Sequence, residues 1–300
     1  MSNPETQKAI FHSGELAAQA HAGVHEEIEK LAAKFIRPIF IQQHQEFFNQ
    51  LPFIVVAAYD ENGLPWVTLL AGRPGFITFD DEQHLRIASQ PVKGDALQHS
   101  LRAGNPLGVI GLAYETKRRN RANGVLVETD QQSLLFKVSQ SYGNCPQYIA
   151  TKNWHFNPPS FAPQVQESSQ LTAHMKQWIE TSDSFYIGSS NRSYMTSDGV
   201  KTHCDMDASH RGGDAGFVKV VSESELVIPD YSGNNFFNTI GNIILNPKVG
   251  LLFIDFETGD LLQITAHAKI EWESVEPSQH PLAQRLIKFQ IDKIVSLKFS

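Results

Sequence analysis

WVTLLAGRPGFI (residues 66–77) and DASHRGGDAGFV (207–218) decide how this chain is organised. In each, a strand-like run passes through glycine into a second short apolar run, so that Gly75-Phe76-Ile77 recurs as Gly216-Phe217-Val218. The same spacing relates Leu85-Arg86-Ile87 to Leu226-Val227-Ile228 and Asn105-Pro106 to Asn246-Pro247. After a slip of one residue, Tyr114-Glu115-Thr116 matches Phe256-Glu257-Thr258. Four matches in one register read as an internal duplication, which has to be recognised before any element is assigned.

Working outward, each copy reads mostly as strand. FIVVAAY (53–59) is an apolar run ended by Asp60-Glu61-Asn62-Gly63, and Trp66 to Ala71 returns as the second strand of a hairpin. Gly75 to Phe79 and His84 to Ala88 form another pair, Gly94 to Ala103 has helical composition, and Leu107 to Tyr114 is a buried strand. In the second copy Asn234 to Leu245 is the equivalent helix and Val249 to Phe256 the equivalent strand. Gln170 to Thr181 reads as a further helix and Phe289 to Phe299 as a closing strand. Short strands with one helix interposed predict a mainly β fold, a small barrel or split β-barrel in each copy, rather than alternating βαβ units. The expected organisation is an N-terminal helical segment (1–46), broken at Gly23 and stopped by Pro38, a first barrel (47–151), a linker rich in proline (152–169) and a second barrel (170–300).

The chain has 300 residues, 41% of them hydrophobic, and a formal net charge of −7. Such a composition supports a sizeable core and argues against general nucleic-acid binding, which leaves a basic surplus. No apolar run approaches the length of a membrane span, and no secretory pattern opens the sequence. Two cysteines, Cys145 and Cys204, make no disulfide framework. A cytoplasmic protein without nucleic-acid or membrane partners is the expectation.

The copies differ where polar residues carry chemistry. Ser209-His210-Arg211 precedes paired glycines where the first copy has Thr68-Leu69-Leu70. An Arg fork followed by exposed backbone N–H groups suits a phosphate, although the same residues also make a surface turn. Tyr231-Ser232-Gly233-Asn234-Asn235 precedes the predicted helix, so an Asn serves as its cap, or the helix start receives a phosphate, or both. Lys117-Arg118-Arg119-Asn120-Arg121 is the densest basic spot. On a strand, Lys117, Arg119 and Arg121 face one way and Arg118 the other, either as solvated edge charges or as an anion site. His210 is the leading candidate for tuning or proton transfer, since its ordinary pKa lies near neutrality. His203-Cys204-Asp205 holds metal-ligand types at a spacing that matches no zinc pattern, so no metal is expected. Cys145 reads as a small residue in a tight turn or as a reactive thiol. There is no Walker loop, nucleophile elbow or Gly-x-Gly-x-x-Gly.

FHSGELAAQAHAGV (11–24), AGRPGF (71–76), SYGNCPQYI (141–149), SHRGGDAGF (209–217), IPDYSGNNFFNTIGNIILNPKVGLLFID (228–255) and FIDFETGDLLQI (253–264) together resemble the tandem branch of the pyridoxamine 5'-phosphate oxidase-related split barrels. The resemblance implies FMN held between the barrels and a homodimer of chains. It puts Ser209, His210, Arg211, Tyr231, Ser232, Asn234 and Asn235 at the flavin phosphate, with Arg118, Arg119 and Arg121 reaching in from the first copy. The oxidase itself carries an Arg-x-x-Leu-Leu-Lys strand and a Ser-Arg-Lys turn where this chain has Ser209-His210-Arg211 and Gly233-Asn234-Asn235. The reading is therefore an FMN-dependent oxidoreductase of unnamed substrate. A flavin-binding module without catalysis, or a barrel holding haem or a deazaflavin, are the alternatives.

Overall fold

A computed structural model describes residues 10–152, 162–193, 205–273 and 282–299. Two antiparallel sheets dominate it. The first contains β1 (Phe53–Tyr59), β2 (Pro65–Ala71), β3 (Ile77–Phe79), β4 (His84–Ile87), β5 (Pro106–Ala113), β6 (Arg118–Thr129) and β7 (Leu134–Asn144), in the order β2-β1-β5-β6-β7-β4-β3. A short strand, β8 (Gln164–Ser168), precedes the second sheet. That sheet contains β9 (Ser184–Ser190), β10 (Met206–Gly212), β11 (Lys219–Val220), β12 (Glu225–Tyr231), β13 (Lys248–Ile254), β14 (Leu261–Glu271) and β15 (Ala283–Lys298), in the order β10-β9-β13-β14-β15-β12-β11. The two orders are the same, strand for strand, and among the described residues neither path closes into a full barrel.

The first hairpin shows how local chemistry produces the strands. Asp60 accepts from the backbone N–H of Asn62 and of Leu64, both at 2.9 Å, and from Trp66 Nε1 at 3.1 Å, while Gly63 takes φ 73°. This aspartate turn sets β1 against β2 in continuous register from Phe53–Ala71 to Tyr59–Pro65. Every residue of β1 is buried, because one face meets its own core and the other meets the second half.

The seam between halves is built backbone to backbone. A Cβ on Gly108 (β5) would lie 2.6 Å from the Ala208 nitrogen on β10, and one on Gly250 (β13) would lie 2.8 Å from the Pro65 carbonyl oxygen on β2. The N-terminal segment forms α1 (Ser13–His21) and α2 (His25–Phe35), parted by Gly23 at φ 70°. It packs on both halves, with Ile28 and Ala32 of α2 clustered around Tyr142 of β7 and Phe236 of the second half. A Cβ on Gly14 would lie 2.1 Å from the carbonyl oxygen of Gly241, on a later helix (Asn238–Leu245).

Three expectations are corrected. Residues 94–103 form successive turns rather than a helix, because local side chains capture the backbone. Asp95 Oδ1 accepts from Leu97 N at 2.7 Å, and Gln98 Oε1 from Gly94 N at 2.6 Å. The predicted linker contributes β8, which adds to the free edge of β15, whereas Pro158 and Pro159 fall outside the described residues. A polar helix, α3 (Gln42–Asn49), not anticipated from its sequence, buries Phe47 and Phe48 under the first sheet. The remaining helices are α4 (Ala173–Thr181), where a helix was expected, and α5 (Asn238–Leu245). Among the described residues no helix is long and apolar enough to cross a membrane.

Candidate functional site

A cleft of about 830 Å³, open mouth included, lies where the halves meet. The first half supplies Arg119 and Arg121 from β6, then Asn144, Cys145 and Tyr148 from the end of β7 and the loop beyond. The second half supplies His210 and Arg211 from β10 and the 229–235 segment with Tyr231, Ser232, Asn234 and Asn235. The first turn of α5 completes it. The strand alternation of β6 explains the first group, since Arg119 and Arg121 share a face. Both walls come from one chain.

The guanidinium groups of Arg119, Arg121 and Arg211 meet here, and Arg285 shares the one carboxylate that faces them. Arg211 donates to Asp230 Oδ1 at 2.5 Å, and Arg285 Nε approaches Asp230 Oδ2 at 3.3 Å. Arg119 donates through Nε to the Cys145 carbonyl at 2.9 Å. Burial, and then the neighbouring Arg121 and Arg211, bring its pKa down to about 10, so it is still charged at neutral pH. Arg121 Nε, Arg211 Nε, His210 Nε2 and Asn144 Oδ1 are buried without a hydrogen-bond partner. Unmet donors in a cationic, half-enclosed space are what an anion with several acceptor oxygens would satisfy.

His210 departs from the sequence expectation. Burial, followed by Arg119, Arg121, Lys152 and Arg211, holds its pKa well below the ordinary value. Its ring is neutral near pH 7, Nδ1 lies 3.4 Å from an Arg119 donor, and it cannot act as a proton source there. The aromatic wall is formed by Tyr148 and Tyr231, stacked 5.1 Å apart at 23°.

Two expected residues lie elsewhere. Ser209 is fully buried behind the cleft, its Oγ accepting from Thr239 Oγ1 at 3.1 Å. Arg118 points to the opposite face of β6, 4.7 Å above the Phe47 ring, and donates to the Gln43 carbonyl at 2.9 Å. Lys117 is not on the strand; it turns at φ 55° just before β6. Asn234 and Asn235 are not helix caps, because α5 starts at Asn238 with Phe237 before it at φ 61° and no side-chain cap. Instead Asn234 Oδ1 accepts from Phe236 N at 3.2 Å, and Asn235 takes φ 59°. The cleft therefore faces a tight polar turn ahead of the helix.

Sequence reasoning passed over Asn238 and the network behind it. Asn238 lines the cleft, receives Tyr142 Oη–H at 3.2 Å, and donates to Glu15 Oε1 at 2.6 Å. Glu15 also accepts from the His12 N–H at 2.9 Å, in the capping box of α1. Asp207, buried on β10, accepts from Asn123 at 2.6 Å and Asn242 at 2.7 Å. Burial first, and then Asp207, push Glu15 up to about 8. A carboxyl that keeps its proton in the folded chain favours folding fully below its ordinary value near 4.5. That contribution is lost as pH rises through about 8, by up to about 1.4 kcal/mol per unit. Glu15→Gln is thus expected to gain melting temperature relative to the parent between about pH 5 and pH 8. A constant difference across that range would show Glu15 to be ionised throughout.

The counterpart position in the first copy is closed. Leu70 and Leu261 stand where the cleft has Arg211 and Arg119, and both are buried. Val165 of β8 fills the space beside Gly94, 2.3 Å from where its Cβ would be. Gln263, in the place of Arg121, donates to Asp95 Oδ2 at 3.1 Å and to the Val67 carbonyl at 2.9 Å, and Thr68 donates to the same Asp95 oxygen. Burial lifts Asp95 to about 6.

No protein-family profile and no curated protein matches the sequence. Solved structures do. A candidate pyridoxamine 5'-phosphate oxidase from Lactobacillus delbrueckii is similar over 42% of this chain and 94% of its own, at 14% identity and a TM-score of 0.31. An FMN-binding protein from Syntrophomonas wolfei matches over 41% and 84%, at 9% identity and 0.26. HutZ, the heme storage protein of Vibrio cholerae, matches over 43% and 95%, at 12% identity and 0.27. Each half here is an antiparallel sheet with the same strand order. Among the described residues no three potential metal ligands gather, and His203 and Cys204 fall outside them.

Proposed function

We propose that this chain is an FMN-binding flavoprotein, a tandem split barrel acting as an oxidoreductase through one flavin per chain. The observation that carries the reading is the convergence of Arg119, Arg121 and Arg211, with unmet buried donors, on a single cleft between the halves. The FMN phosphate, with about two negative charges, matches the charge surplus left by Asp230. Arg121 and Arg211 would hold it, and Asn144 Oδ1 would accept an N–H or O–H of the ligand. The stacked Tyr148 and Tyr231 offer an apolar edge to a planar ring.

FMN supplies hydride or electron transfer when bound, and the chain supplies position and electrostatics. The cationic wall favours negative charge on whatever it holds. Neutral His210 can donate through Nε2 without adding charge. A non-catalytic flavin carrier would use the same wall, and NADH- or NADPH-driven bleaching of bound flavin separates the two.

The test of the ligand is a fluorescence titration with FMN and with riboflavin. FMN is expected to bind at least tenfold more tightly, and equal affinities would remove the phosphate reading. The visible spectrum of the purified protein distinguishes flavin from haem or a deazaflavin.

A further inference from the structure

The basic run at 117–121 serves two cavities, and the proposed flavin site uses only one of them. The second lies on the other face of β6, under α3, and measures about 880 Å³ with its open mouth. Its apolar lining is Phe47 and Leu51, from α3 and the loop after it, Phe53 of β1, Leu112 and Ala113 of β5, and Tyr114 just beyond β5. Its rim carries Arg118, Lys152 and Glu115.

The rim charges are not equivalent. Lys152 is already paired, donating to both carboxylate oxygens of Asp183 at 2.6 and 2.8 Å. Glu115 is exposed and solvated. Arg118 pairs with no carboxylate among the described residues; its guanidinium carbon lies 4.7 Å from the centre of the Phe47 ring, and it gives one donor to the Gln43 carbonyl. A guanidinium oriented by a ring, beside an apolar chamber, presents its remaining N–H fork to an anionic group whose body enters the chamber.

We infer that this cavity is a second ligand site, for a small amphiphilic anion: an aromatic or aliphatic body with a carboxylate or sulfonate head on Arg118. The assignment does not depend on the flavin reading. The two sites share a partition, since Tyr114 Oη lies 3.0 Å from Tyr186 Oη, and Tyr186 packs edge-on against His210 at 5.4 Å.

The probe is 8-anilinonaphthalene-1-sulfonate, followed by fluorescence on the full chain. The parent is expected to bind one equivalent, and Arg118→Gln to bind about tenfold more weakly, the loss of a charge-assisted hydrogen bond. Ala113→Phe, which fills the chamber from a half-buried position, is expected to abolish the signal while cooperative thermal unfolding is kept. No binding by the parent, or parent-like binding by folded Ala113→Phe or by Arg118→Gln, would each overturn the site. Arg118→Gln changes only a rim residue, so it decides the matter even if Ala113→Phe does not fold.

Discussion

Arg211→Ala is expected to weaken FMN binding about 10- to 150-fold, or about 1.5–3 kcal/mol, with riboflavin affinity nearly unchanged. Arg211 stands at the end of β10, only partly exposed, with one nitrogen on Asp230 and Nε unmet. Removing it takes a donor fork from the phosphate. It also leaves Asp230 facing the ligand with Arg285 as its remaining cation, so the local charge turns against an anion. Arg211→Lys restores the charge but not the planar fork, and should recover only part of the loss. Parent-like FMN affinity in Arg211→Ala would exclude the β10 end as the phosphate site, whatever the cleft holds. Titrations at two salt concentrations add a check, because the parent's advantage for FMN over riboflavin should shrink as ionic strength rises.

Gly108→Val is expected to destabilise the chain by on the order of 3 kcal/mol, the upper part of the range for overpacking. The added carbons would meet backbone atoms of Asp207 and Ala208, 2.6–2.8 Å from the first of them, and backbone cannot rotate aside as a side chain can. Gly250→Val tests the same seam from the other side, where Pro65 and Trp66 lie 2.8 Å from the new Cβ. Gly143→Ala, whose nearest neighbour would be Asn120 Oδ1 at 3.5 Å, is the control and should cost little. Urea unfolding measures all three. Because the cleft takes a wall from each half, both seam variants should also lose ligand affinity. An unchanged midpoint in Gly108→Val would mean that the halves separate easily and that the cleft is not a fixed structure.

Much of the architecture was legible along the chain. FIVVAAY became β1 without a residue's change, because a run of β-branched and aromatic residues bounded by an aspartate–glycine turn has one comfortable conformation. The split of Arg118 from Arg119 and Arg121 followed from the two-residue period of a strand. Where reading failed, distant or local polar partners outweighed composition. Residues 94–103 have helical composition, but Asp95 and Gln98 spend their oxygens on neighbouring N–H groups and hold turns. The start of α5 moved from Asn234 to Asn238 because Asn235 and Phe237 adopt left-handed backbone, which no helical periodicity discloses. β8, polar and exposed, is a strand only because β15 offers it an edge.

The strands and turns of each half, and the faces that the basic residues take on β6, depend on neighbours within a few positions and can be read along the chain. Packing between distant segments decided that Arg211 meets Arg119 and Arg121, and that Leu70 is buried at the matching place in the first half. It also decided that Glu15 keeps its proton while His210 loses its own. Those outcomes depend on burial and on the distance between charges, and both are set when segments far apart in the chain pack across one seam.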